Sequence, residues 1–118
     1  MKALELLGQA QAVLAARTSG GLSARLAAFL ARRALEEIIR ERCRILDAPA
    51  PWAKTHSQLL ILRALDEPDI ANRAAMAWNR LSNACHLHAY ELQPSVSEVE
   101  QLCGVVASLV PEAGSVAR

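Results

Sequence analysis

An all-α fold, an antiparallel bundle of about five helices, is what this sequence predicts. Three observations lead there. Ala and Leu make up more than a third of the 118 residues while β-branched residues are few, a composition that favours helices. Apolar residues recur at spacings of three and four in successive stretches, the period of a helix with one buried face. Proline and glycine punctuate the chain between those stretches. The length fits a single domain over residues 1–118 and suffices to bury about two-thirds of the unfolded surface.

Residues 2–17 carry Leu4, Leu7 and Leu14 with Leu6, Ala10 and Val13 beside them, an amphipathic helix slightly weakened by Gly8. Thr18-Ser19-Gly20-Gly21 stops it, since glycine suits a helix terminus followed by a turn. Ser23 is placed to cap a long second helix reaching Asp47. Its apolar stripe includes Leu26, Phe29, Leu30, Leu35, Ile38, Ile39, Ile45 and Leu46. Arg32–Glu36, Arg33–Glu37 and Glu36–Arg40 stand at i,i+4 on its charged side, where ion pairs form along a solvated face. A sharper reading of those arginines is that one or two extend a phosphate-binding surface.

Pro49 and Pro51 end that helix. Thr55 with Gln58 fits a capping box, so a third helix runs to about Leu65, apolar around most of its circumference and therefore well buried. His56 falls in its exposed first turn. Asp66-Glu67-Pro68-Asp69 is a strong helix start, with acids near the positive end of the dipole and proline at the first helical position. The fourth helix spans 69–92 and stops before Pro94. Ser95 and Glu98 form a second capping box, opening a last helix on Val96, Val99, Leu102, Cys103, Val106 and Leu109. Pro111 and Gly114 end it.

The formal charge of +1 gives no strong global pull toward nucleic acid or membrane. Phe29, Trp52, Trp78 and Tyr90 are too few aromatics for a single-strand binder that stacks several bases. Cys43, Cys85 and Cys103 are odd in number and lack CxxC spacing, as in a reduced, cytoplasmic protein. No apolar run reaches membrane-spanning length, and no signal-peptide pattern opens the chain. These features point to a soluble cytoplasmic protein.

The fourth helix is the exceptional one. Asn72, Asn79, Asn83, His86 and Tyr90 differ by 7, 4, 3 and 4 positions, so they share a narrow stripe. Trp78, Leu81, Cys85 and Leu92 form a separate apolar stripe, and Arg80 lies to one side of the asparagines. An uncharged polar seam around a histidine reads as a site or as a polar two-fold interface, and on the second reading the chain is a homodimer. Cys85, His86 and His88 have metal-ligand chemistry, but the two histidines point about 160° apart on a helix. A zinc site needs four converging ligands, so no metal or other cofactor is expected. Cys85, on the apolar stripe, reads as a structural thiol and not a nucleophile.

The stretch Arg80-Leu-Ser-Asn-Ala-Cys-His86, with its five-residue spacer, resembles the Arg-x4-6-His signature of the HEPN superfamily. The helix plan and the run CHLHAYEL followed by PSVSEVE extend the resemblance across most of the chain. It looks most like the small bacterial HEPN-like proteins of toxin and defence systems. The resemblance implies a helical dimer that cleaves RNA without metal, two copies of the motif meeting in one cleft, and an antitoxin or other neutralising partner. It assigns His86 as general acid/base and Arg80 as phosphate ligand. Histidine exchanges protons near neutrality, and a guanidinium grips phosphate bidentately. Many members carry a polar residue directly after the arginine. Leu81 stands there instead, with Asn79 and Asn83 beside it as supporting candidates. That departure leaves open a non-cleaving member, and the alternative function is a non-catalytic helical interaction or nucleotide-binding module.

Overall fold

The computed structural model describes residues 2–16, 20–86 and 94–111, the side chains of 20–22 excepted. Those residues form five helices and no strand: α1 (Lys2–Ala16), α2 (Gly20–Ile45), α3 (Thr55–Leu65), α4 (Pro68–Cys85) and α5 (Val96–Ser108). The expected all-α bundle is the fold. The longest helix, α2, packs against each of the other four and is the mast of the bundle.

Small residues make that possible. Ala24, Ala27, Ala28, Ala31 and Ala34 of α2 are fully buried, as are Ala3 and Ala10 of α1. With no side chain beyond Cβ they let helices approach closely. Leu35, Ile38 and Ile39 fill the lower half of the same core with Leu62, Leu81, Val99 and Val106. On α1 the buried stripe is Ala3, Leu7, Ala10 and Leu14, so Leu4, expected inside, is 53% exposed. Leu26 and Phe29 of α2, also expected inside, are each half-exposed.

Three expected helix starts behave differently. α2 begins at Gly20, so Ser23 is not its cap and lies buried inside the helix. The capping box at Thr55 does not form. Lys54 is the N-cap without a side-chain bond, and Gln58 is drawn inward, its amide donating to the Ala50 carbonyl at 2.8 Å. At α5 the N-cap half of the expected capping box forms: the Ser95 hydroxyl accepts from the Glu98 amide at 3.0 Å, satisfying one of the free donors of the first turn. The short α3 is only half-buried, with Leu60 at 54% and Leu65 at 56% exposure. It lies on the outside of the bundle, so the apolar residues around its circumference cannot all face the core.

The end of α2 is a Schellman turn. The Ala48 amide donates to the Cys43 carbonyl and the Asp47 amide to the Arg44 carbonyl, the paired pattern of that motif. Asp47 occupies the left-handed position, φ 63°. Side-chain pairing along α2 also departs from expectation: Arg40 pairs with Glu37 and Arg44 with Glu41, both at i,i+3. None of the described helices is long and apolar enough to cross a membrane.

Candidate functional site

α4 buries an alanine seam, Ala71, Ala74, Ala77 and Ala84 with Leu81. That seam fixes which side of the helix faces out. Asn72, Asn79 and Asn83 lie on the opposite side and are exposed, as helical spacing requires. Trp78 and Cys85, from the expected apolar stripe, sit partly buried at its edge.

The helix stops before His86, which was expected inside it. It ends at Cys85, and His86 is its C-cap with φ −111° and ψ 52°. The expected helical continuation with His88, Tyr90 and Leu92 lies outside the described residues. A tertiary contact stands at this end: Arg25 of α2 donates to the Cys85 carbonyl at 3.3 Å. In a longer helix that oxygen would serve the amide four residues on, and a guanidinium there also suits the negative end of the helix dipole.

His86 is exposed. Its backbone amide reaches the carbonyls of Ser82 and Asn83, and its ring Nδ1 lies 2.8 Å from the Ser82 carbonyl oxygen. A carbonyl only accepts, so Nδ1 carries the proton and Nε2 is the nitrogen left for chemistry. Ser82 is itself held, because Arg32 Nε donates to its hydroxyl at 3.1 Å. The Arg32 guanidinium also lies 4.4 Å from the centroid of the Trp78 ring, a cation–π contact. Arg25 to Cys85 and Arg32 to Trp78 fix an antiparallel register between α2 and α4.

Arg80 is exposed and makes no ion pair among the described residues. It precedes His86 by six residues, about 9 Å along a helix axis and about 120° around it. One protomer does not bring the two together at one atom. Among the described residues no three His, Cys, Asp or Glu side chains converge as metal ligands.

The chain matches no protein-family model, no curated protein and no solved structure.

Burial raises the Cys85 thiol above its ordinary pKa, against the pull of Arg32 and Arg25; it is a poor nucleophile. Cys43 and Cys103 are buried and free, and both are raised as well, first by burial.

Two arginines of this region, Arg25 and Arg32, carried no individual signal in sequence. Their separation of seven residues places them on one face of α2, but nothing local says that α4 is what they face. A groove of about 320 Å³ between α3 and α4 was equally invisible, because it exists only once those helices pair.

Proposed function

We propose that the chain is a metal-independent endoribonuclease of a toxin or defence system. It works as a homodimer in the cytoplasm, where three free thiols stay reduced, and an antitoxin or similar partner restrains it. His86 acts as general acid/base and Arg80 binds the scissile phosphate, with Asn79 and Asn83 supporting. The observation that carries this reading is His86 itself: exposed, with Nδ1 held by the Ser82 carbonyl. A base of that kind presents a free Nε2 in a fixed direction, ready to accept a 2′-hydroxyl proton. Arg80, with no ion pair among the described residues, supplies the charge that a pentacoordinate phosphorane calls for. Because the two diverge on one helix, a second copy completes the cleft.

RNA incubated in EDTA tests this. Wild type is expected to cleave and leave a 2′,3′-cyclic phosphate, since the attacking oxygen is the substrate's own. DNA and 2′-O-methyl RNA should resist. His86→Ala should lose about 10²–10⁴ in rate, with its helical circular dichroism unchanged. Equal cleavage by wild type and His86→Ala would remove the assignment.

A second reading, a non-catalytic helical interaction or nucleotide-binding module, draws on a different observation. Leu26 and Phe29 are half-exposed and line an open recess with Arg25 and Cys85. Apolar side chains in that position suit a partner surface. An intact protein that binds RNA or protein but cleaves nothing would favour it.

A further inference from the structure

The groove between α3 and α4 has a composition that neither the core nor a solvated surface requires. Ala71 and Ala75 keep its floor open, where a longer side chain would fill it. Its apolar walls are Leu59 and the half-exposed Leu60 on one side and Trp78 on the other. Trp78 is not a loose wall, because Arg32 sits over its ring. Polar groups stand along both edges at a separation of seven residues, His56 and Arg63 from α3 and Asn72 and Asn79 from α4. Among the described residues no carboxylate lines the groove and no acid pairs with Arg63.

We infer that this groove binds one nucleotide of a single-stranded RNA. The lining asks for a flat apolar body, an edge of mixed donors and acceptors, and an anion. A nucleobase stacks on an indole. Asparagine amides carry a donor and an acceptor together and so match base edges. The Arg63 guanidinium takes phosphate. The volume of about 320 Å³ lies at the lower end of ligand pockets, roughly 300–1,000 Å³, which suits one nucleotide and not two.

The groove's place relative to cleavage rests on the ribonuclease reading. Asn79 belongs both to the groove and to the outward asparagine face, seven residues before His86, about 10 Å along a helix. A single-stranded backbone covers that distance in a nucleotide or two. The groove therefore selects a base near the scissile phosphate, and it sets where in a strand the enzyme cuts.

The test uses the full chain carrying Trp52→Phe. Trp52 is 84% exposed in the loop before α3, so its removal leaves Trp78 as the only indole. Titration with AMP, GMP, CMP and UMP, and separately with ribose 5-phosphate, is read by Trp78 fluorescence. At least one nucleotide should quench saturably, and about tenfold more tightly than ribose 5-phosphate. Asn72→Ala, an exposed substitution, should weaken that nucleotide by about tenfold, the scale of one lost base contact. Ala75→Leu should abolish binding by filling the floor, with circular dichroism confirming the fold. Absence of saturable quenching by any nucleotide overturns the inference. So does ribose 5-phosphate binding as tightly as the nucleotides, or an Ala75→Leu protein that is folded and binds normally. RNA cleavage followed in parallel separates the two proposals. Nucleotide binding without cleavage leaves the groove standing and removes the nuclease. Cleavage with a site preference unchanged by Asn72→Ala and Ala75→Leu removes the groove and leaves the nuclease.

Discussion

Asp47 holds a backbone conformation usually left to glycine. The Schellman turn that ends α2 needs one left-handed residue, and Asp47 supplies it at φ 63°. Aspartate tolerates this region better than most residues, but not as freely as a residue without Cβ. Asp47→Gly is therefore expected to raise the urea midpoint by the equivalent of about 0.5–1 kcal/mol. An unchanged or lowered midpoint would show that the aspartate side chain contributes something in the folded state. Cys103 gives a second prediction. Burial, and then the nearby Glu100, pushes its thiol up to about 11 from 9.0. The unfolded chain therefore loses this proton first. The stability it contributes is complete below about pH 9 and is lost as pH rises through about 11, on the order of 2–3 kcal/mol. Cys103→Ala should flatten that part of the alkaline stability profile, whatever its effect at neutral pH; an identical slope in both proteins would contradict it. The uncrosslinked thiols were legible from spacing alone, whereas the depth of each needed the packed bundle.

Between elements the strongest single link is Arg42 with Asp66. The guanidinium meets both carboxylate oxygens, at 2.7 and 3.1 Å, and also reaches the Leu109 carbonyl at 3.3 Å. One charge pair thus joins α2, the α3–α4 corner and the end of α5. Both side chains are mostly out of water, so removing one strands the other. Asp66→Ala should cost about 3–5 kcal/mol, read by chemical denaturation, with Asp66→Asn intermediate. A loss near that of exposed pairs, below about 1 kcal/mol, would mean that Arg42 finds water instead. Sequence showed Asp66 only as an acid before a helix, because its partner lies 24 residues away. The same limit applies at the end of α4. Pro94 and the continuing Asn/His period argue for a helix to residue 92, whereas α4 ends at Cys85, where Arg25 reaches across from α2 to the last carbonyl. Helices bounded by local chemistry, such as α5 with its Ser95 cap, were legible. Those bounded by a neighbour were not. Arg80 and the exposed asparagines belong to the first kind, since period alone puts them on one helix and turns the asparagines outward; His86, expected inside that helix, is its C-cap. The groove residues belong to the second.

At the scale of the whole molecule, the proposed cleavage depends on symmetry. Arg80 and the C-cap His86 are separated by about 9 Å and 120° in helical terms, so a protomer alone offers the base without Arg80 beside it. In the proposed dimer the His86 of one copy works with the Arg80 of the other across a two-fold axis. Half-exposed Leu26 and Phe29, beside the end of α4, give such an association apolar area that the asparagines lack. Light scattering at tens of micromolar should then report twice the 12.7 kDa mass of the chain. The decisive form of this prediction is complementation. Arg80→Ala and His86→Ala homodimers should each be inactive. Co-refolding them in equal amounts makes about half the dimers mixed, and each mixed dimer joins an intact Arg80 from one copy to an intact His86 from the other. Activity should therefore return, to at most about a quarter of wild type, because each mixed dimer keeps one of its two Arg80–His86 pairs. If the mixture stays as inactive as its parents while forming dimers normally, the two residues do not act across an interface. The geometry of a single α4 then leaves them no shared phosphate, and the composite site falls with it.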